Sequence, residues 1–489
     1  MNISSIESSA SKPSAEDSIG TAADCLPLVK ELQPAPEVGA LLRRWAAEDY
    51  CILLDSASRI QTLGRCSFLA ADPFDFVRFP VGTGDALIRL RTLIEAYSSA
   101  SRPDLPPFQG GAAGVFAYDL NRSLEKIAPP QFDEFQFPSL AIGLYDVVVA
   151  WDHLQDRAWI ISQGWPERNF EARLQRAQQR LDWAEQLILN AAREPCPLKQ
   201  HQPVERLAPQ FAVEGFGKLT SNFSKSGYLA AVQRAIRYIF DGDIFQVNLS
   251  QRLLMPFAAN PLETYLQLRA INPAPFAGYF DLGSHQLLSA SPERFAQARN
   301  GVVETRPIKG TRRRTMYPEA DLHEASDLVR SQKDRAENVM IVDLLRNDLS
   351  RVCDADSIKV TQLCKLEAYQ YVQHLVSAVR GELLADKGAM DLIQAAFPGG
   401  SITGAPKVRS MEIIAELEPT ARGAYCGCLG YIGFDGSVDL NILIRTMTIA
   451  GGFCQIPVGG GIVADSDPLR EYVETWDKAA GMLNALRGS

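Results

Sequence analysis

Apolar and polar positions along the 489-residue chain follow two different periods. Strand-like runs come first: Cys51–Leu54, Ala141–Trp151 and Ala158–Ser162 are apolar or alternating. Residues 167–193 change to a helical period, with Phe170, Leu174, Ala177, Leu181, Ala184, Leu187 and Ile188 on one face. A polar, proline-containing passage from Glu194 to Phe223 reads as a linker or an exposed crossover. The spacing then predicts a helix capped by Ser226, with Leu229, Val232, Ile236 and Ile239 on one face and an end near Gly242. Further strands are predicted at Ile244–Arg252, Gly278–Leu282, Gln286–Ser289 and Val302–Arg306, and near 424–434, 440–449 and 453–458. One helix is predicted through Asp321–Leu345, and a last one from Pro468, a favourable first-turn proline, to Arg487. Hairpin-like strand pairs dominate, which favours α+β with large antiparallel sheets over a doubly wound parallel sheet.

The chain divides into residues 1–25, 26–193, 194–223 and 224–489. The first segment is rich in Ser, Ala and acids, lacks basic and apolar leader regions, and reads as a disordered tail rather than a signal peptide. A hydrophobic content of 46% with 22% charged residues suits a globular protein with a large core. The net charge of −9 argues against nucleic acid or an acidic membrane as a partner. No stretch has the apolar length of a membrane span. The nine cysteines are scattered and form no CxxC pair, the pattern of reduced thiols in a cytoplasm.

Candidate chemistry gathers in the last region. In Arg306-Pro-Ile-Lys-Gly-Thr311, Lys309 sits between a proline-fixed approach and a glycine, where backbone can come close to a ligand. Such a lysine is either a nucleophile, if partly neutral, or a loop lysine in solvent. Asp334 and Glu337 lie three apart on a predicted helix, and Glu471 and Glu474 repeat that spacing on the last one. The two pairs would suit a hard cation, Mg²⁺ best, or are two solvated acidic faces. Phe397–Lys407 and Gly459–Gly461 are glycine-rich segments able to cradle an anion or to make tight turns, and neither fits a Walker A or dinucleotide fingerprint. Arg445, predicted on an apolar strand, needs a carboxylate, from a ligand or from a salt bridge. Glu293, just past a strand, is a possible acid partner for Lys309 or part of an ordinary turn. His374 lies in an apolar run, where a core role is commonest.

Together, Asp243–Arg252, Ser291–Phe295, Arg306–Thr311, Glu337–Asp348, His374–Ser377, Phe397–Lys407, Gly459–Ser466 and Glu471–Thr475 resemble the chorismate-utilising enzyme family, in the family's order. Pro107–Gly114 and Tyr118-Asp119 look like the family as well. The resemblance implies two large antiparallel β-sheets packed face to face with helices outside, an anthranilate synthase component I-like fold. It implies Mg²⁺ held by Glu337 and Glu474, with Asp334 and Glu471 in support. It places Arg445, Tyr425 and the Gly460–Gly461 backbone on the carboxylates of chorismate, Thr403, Gly404 and Lys407 on the neighbouring loop, Thr311 beside Lys309, and His374 beside the ring. Glu293 becomes the general acid at the departing C4 hydroxyl. Gln246 stands where isochorismate-forming relatives have a lysine that activates water, so water addition is disfavoured. Lys309 stands where anthranilate-forming members have alanine, which implies attack on C2 and amination at C4 to 4-amino-4-deoxychorismate on the route to p-aminobenzoate and folate; anthranilate formation is the alternative. Cys426-Gly-Cys428-Leu-Gly430 lacks the leading glycine of an amidotransferase elbow and reads as structural, so ammonia is expected from a separate glutamine amidotransferase subunit. Ile52–Ser56 resembles the strand that carries a tryptophan site, with Asp55 replacing the usual glutamate and Ser56 following it.

Overall fold

Asp146 divides the longest apolar run in the N-terminal part between two sheets. The structure, a computed structural model, describes residues 26–58, 63–190, 204, 206–314, 317–368 and 372–487. The run expected as one strand over Ala141–Trp151 is two: Leu140–Tyr145 pairs with Gly111–Phe116 and Asp75–Phe79, whereas Val147–Asp152 pairs with Cys66–Ala70 and Arg157–Ser162. The fully buried Asp146 carboxylate at the crossing accepts from Arg176 and Arg180 of the Phe170–Leu189 helix, both at 3.2 Å. Burial pushes that carboxyl above its ordinary range, and the two guanidiniums offset only part of the rise.

Among the described residues the first sheet has 13 strands. From the edge its order is Leu28–Leu32, Arg157–Ser162, Val147–Asp152, Cys66–Ala70, Ile52–Asp55, Phe276–Asp281, Gln286–Ser291, Thr446–Ala450, Phe453–Ile462, Gln246–Pro256, Thr220–Ser221 and Phe211–Ala212, with Gly404–Ala405 pairing to Gln246–Pro256 as well. The second has 10 strands, running Ile308–Arg313, Val372–Glu382, Val302–Arg306, Arg294–Arg299, Val438–Asn441, Cys428–Gly433, Gly111–Phe116, Leu140–Tyr145 and Asp75–Phe79, with Lys359–Ala368 also on Val372–Glu382. Their ladders are antiparallel throughout, as expected for this α+β class. Ile52–Asp55 pairs with Phe276–Asp281, and Gly111–Phe116 with Cys428–Gly433, so chain before and after residue 224 shares both sheets.

Alternation along each strand shows the layering. Ile52, Phe68, Val148 and Ala150 pack with Ala113, Val115, Leu429 and Tyr431 between the sheets. Their neighbours Leu53, Leu69, Val147 and Val149 pack outward on Leu42, Trp45, Leu181, Tyr265 and Met482 of four helices. On the other outer face, Ala112, Phe116, Ile142 and Leu144 share a core with Leu90, Ile341, Leu345 and Ile393. Each sheet is therefore buried on both faces, which is why its strands read as unbroken apolar runs.

Several boundaries differ from expectation. The helix after the linker is capped by Ser224, not Ser226: the Ser224 side chain accepts from the Gly227 N–H at 3.0 Å, and the helix spans Lys225–Phe240. The single helix over Asp321–Leu345 is two, Pro318–Arg330 and Gln332–Ser350, because Ser331 leaves helical backbone and caps the second through the Asp334 N–H. Part of the expected linker forms the strands Phe211–Ala212 and Thr220–Ser221; residues 191–203 and 205, like the expected tail 1–25, lie outside the described residues.

Asp146→Asn keeps the shape of the crossing and takes the buried carboxylate from Arg176 and Arg180, the latter retaining Asp72 at 2.7 Å. Because Arg176 stays partly exposed, we expect a loss of about 2 kcal/mol, below the usual cost of breaking a fully buried pair, read as a lower urea midpoint.

Candidate active site

Gly460 and Gly461, near the end of Phe453–Ile462, form the floor on which the candidate residues meet. They pair with Leu249 and Asn248 of the Gln246–Pro256 strand. A Cβ on Gly461 would lie 2.5 Å from Gln246 Nε2 and 3.4 Å from Lys309 Nζ. One on Gly460 would lie 3.4 Å from Glu471 Oε2 and 3.5 Å from Glu474 Oε1. Both glycines serve the site by lacking a side chain where functional groups converge.

Lys309 enters from the edge strand of the second sheet. A register irregularity between Lys309 and Thr311 puts Gly310 at φ +77°, a backbone that glycine accepts without strain, and this bulge re-aims the strand. Lys309 Nζ lies 3.7 Å from Glu337 Oε2, and both side chains are nearly buried. Thr311 faces His374 in the ladder; its side chain lies outside the described residues.

Glu293 and His374 are buried and electrostatically poised. Burial pushes the Glu293 carboxyl up to about 6, against the hydrogen bond from Ser401, the charge of Lys309, the Ile308 N–H and the charge of Arg445. Its Oε1 has no hydrogen-bond partner, nor has either amide atom of the fully buried Gln246. Unpaired buried polar atoms are costly, and three of them around Lys309 mark a space shaped for a polar ligand. Burial, aided by the Arg445 charge, carries His374 down to about 4 against the Gly310 backbone and Glu367, so its imidazole is neutral near pH 7.

Acidic side chains of the two helices act on one another electrostatically. Glu337 is raised by burial and by the charges of Asp334 and Glu471, with Lys309 and Lys333 opposing. Glu471 accepts from Ser466 Oγ at 2.7 Å and pairs with Lys333 at 3.4 Å. Asp334 pairs with Arg312 at 3.6 Å. Glu474, half exposed, pairs with Lys478 at 2.7 Å; burial alone would raise it, but Lys478, Lys333 and Lys309 carry it below the ordinary range. Among the described residues no three His, Cys, Asp or Glu side chains stand close enough to hold a metal by themselves. The Glu471 and Glu474 carboxylates beside Gly460 are hard oxygen donors of the kind Mg²⁺ takes one or two of, completing its shell with water and substrate oxygens.

Other residues are placed differently from expectation. Arg445 is not on a strand: it occupies the turn before Thr446–Ala450 at φ +51°, a left-handed conformation rare for arginine, and its charge bears on both Glu293 and His374. Tyr425 and Cys426 sit in a buried turn before Cys428–Gly433 rather than within that strand. The Lys407 ammonium is taken up by Asp348 Oδ2 and the Ala396 carbonyl, both at 2.7 Å, and Thr403 Oγ1 by the Gly399 carbonyl at 2.9 Å. These two therefore shape the loop whose Gly404 pairs with Val247 on the Gln246 strand. Asp55 and Ser56 border a separate cavity of about 440 Å³ between the sheets. There the Asp55 carboxylate already pairs with Arg269 at 2.6 Å and accepts from Ser67 and Tyr265 at 3.0 Å, so a ligand such as tryptophan would be met by other groups.

Sequence reasoning missed Ser401, Lys333 and Lys478. Lys333–Glu337 and Glu474–Lys478 are i,i+4 spacings on the two acidic helices, a signal that was present. The hydroxyl of Ser401 gave none.

The floor of glycines, the paired acidic helices and the buried acid define a class. The chain belongs to the chorismate binding enzyme family, whose sequence pattern matches residues 70–484. It is 42% identical to anthranilate synthase component 1 of Thermus thermophilus over 81% of this chain and 82% of that one. It is 39% identical to aminodeoxychorismate synthase component 1 of Salmonella typhimurium, covering 89% and 93%. The crystal structure of anthranilate synthase component I from Streptococcus pneumoniae superposes with a TM-score of 0.73 at 33% identity, over 87% of this chain and 93% of that one.

An isotope-labelled NMR titration should show His374 neutral down to about pH 4 and Glu293 protonated up to about pH 6. An imidazole titrating near its ordinary 6.5 would mean an open, hydrated pocket.

Proposed function

We propose that this chain is an aminodeoxychorismate synthase component I, which aminates chorismate to 4-amino-4-deoxychorismate with ammonia from a glutamine amidotransferase subunit. The observation that carries the reading is the Lys309 amine, aimed over Gly461 beside the unpaired Gln246 amide and within the field of Glu293. An alanine there would leave the pocket without a nucleophile.

Each step is assigned to a residue of this chain. The Lys309 amine forms a bond to C2 as the ring double bonds shift, and the C4–O bond breaks. Glu293, whose carboxyl burial raises to about 6, gives its proton to the leaving hydroxyl, which departs as water. Ammonia then bonds to C4, the double bonds shift back and the C2–N bond to lysine breaks; Glu293 recovers a proton. Chorismate and ammonia thus become 4-amino-4-deoxychorismate and water, with the lysine restored. Gln246, having no basic nitrogen, orients without activating water. Glu337 and Glu474 would hold Mg²⁺, which would supply positive charge near a substrate carboxylate.

The cysteines support a separate ammonia source. Glutamine hydrolysis by cysteine needs an accessible, low-pKa thiol. Burial pushes Cys51, Cys428 and Cys454 well up, Cys66 and Cys426 to about 12 and Cys353 to about 11, and Cys364 is buried. The thiols of the described residues are therefore unsuited to that work. No helix among the described residues is long and apolar enough to cross a membrane.

The second reading, anthranilate formation, draws on the 42% identity to the Thermus thermophilus enzyme, a figure equalled by the 42% identity to aminodeoxychorismate synthase component 1 of Klebsiella aerogenes. Chorismate, Mg²⁺ and an ammonium salt decide between them: we expect a product without anthranilate fluorescence, and the fluorescent product would reverse the assignment. Lys309→Ala should remove most aminodeoxychorismate formation, and acid-quenched parent enzyme should carry an adduct at Lys309 with the mass of the substrate less one water. Glu293→Gln should lower kcat roughly a hundred-fold or more. EDTA should abolish turnover, with Mg²⁺ restoring it.

A further inference from the structure

Behind the Gln246 strand, outside the groups that meet substrate in the proposed reaction, lies a buried ion pair. Arg422 and Glu418 are 3% and 5% exposed. Arg422 Nε donates to Glu418 Oε2 at 2.8 Å and NH2 to Oε1 at 2.7 Å, a bidentate pair. The remaining donors reach backbone: NH2 to the Asn248 carbonyl at 2.9 Å and NH1 to the Ile402 carbonyl at 3.2 Å. Glu418 Oε1 also accepts from the Ser250 N–H at 2.7 Å and the Ser250 hydroxyl at 2.9 Å. The guanidinium lies 4.6 Å from the Tyr118 ring centroid and 5.7 Å from that of Tyr425.

Those contacts fall on the segments that shape the site. Asn248 is the register partner of Gly461, and its N–H donates to the Thr403 carbonyl at 2.8 Å, so both neighbours of the Gln246 strand are fixed at one residue. Ile402 follows Ser401, whose hydroxyl supports the Glu293 carboxylate. Tyr425 lies across from the same guanidinium. A buried ion pair gives little net stability over apolar packing. What apolar side chains cannot do is hold two carbonyls of different segments at fixed distances from one rigid plane.

We propose that Arg422, held by Glu418, is a positioning residue that sets the spacing of the Gln246 strand, the Ser401–Gly404 segment and the Tyr425 turn, and thereby the fit of chorismate over Gly460 and Gly461. The proposal rests on the functional reading above. Lysine in its place keeps the charge and loses the plane, so the wall loosens without exposing an unpaired carboxylate.

The test compares parent and Arg422→Lys by steady-state kinetics with chorismate, Mg²⁺ and ammonium, at a temperature where circular dichroism shows both folded. Loss of folded protein lowers apparent kcat and leaves KM alone, whereas a misplaced wall raises KM. We expect KM for chorismate to rise about ten-fold and kcat to fall as well, in line with the sensitivity of bound geometry to small displacements. An unchanged KM overturns the proposal. Should Arg422→Lys fail to fold, Ser250→Ala, which removes only the hydroxyl bond to Glu418, is read by the same criterion: a raised KM supports positioning and an unchanged one overturns it. A parent that neither binds nor converts chorismate defeats the functional reading, and this proposal with it, before any variant is made.

Discussion

Double burial of both sheets governs the fate of every charge inside the molecule. The central strands face apolar side chains on both sides, so an ionised group within them must have a partner or lose its charge. Asp146 finds two arginines, Asp55 finds Arg269, Glu134 finds Arg252, and Glu418 finds Arg422. Glu293 and Gln246 are equally buried and, like several other buried groups such as Tyr118 Oη and Arg252 Nε, keep polar atoms without partners; what distinguishes them is that they lie close to Lys309. The same low-dielectric interior that forces pairing elsewhere leaves Glu293 neutral over much of the acidic range, as a proton donor must be.

The proposed chemistry lies at the place where the layers open. The site forms where the ends of strands from the two sheets approach: Phe453–Ile462 and Gln246–Pro256 from the first, Ile308–Arg313 and Val372–Glu382 from the second. Glycine at 460 and 461 removes side chains from the floor, and the Gly310 bulge turns Lys309 toward it. Gln332–Ser350 and Pro468–Arg487 bring acidic residues to the open side, where lysines balance them. Positive and negative groups thus surround a common central space, an arrangement that suits a small dianion together with a cation.

Much of this organisation is legible in the amino-acid sequence. Strand runs, the acidic i,i+3 pairs, the glycine segments and the order of motifs point to the fold class and to residues that the fold brings together. Arg445 and Lys407 show where such reading ends. Both stand out as cations in informative segments, yet one lies in a left-handed turn that no local pattern announces, and the other is held by Asp348, 59 residues away in sequence. Thr403 likewise has the chemistry of a ligand-binding hydroxyl, but its hydrogen bond closes within its own loop.

By itself, the sequence determined which stretches are strand or helix, which side chains carry reactive groups, and that Lys309 is the residue on which the proposed product depends. Those properties are local: periodicity, propensity and functional-group chemistry reside in a few neighbouring residues. Tertiary structure decided that Asp146 would split one apolar run between two sheets, that Lys309 would lie beside Glu337, and that Glu293 and Gln246 would be buried with polar atoms unpartnered. Burial, register and dielectric are set by elements distant in sequence, and they determine whether a lysine is a solvated charge or an amine aimed at a substrate.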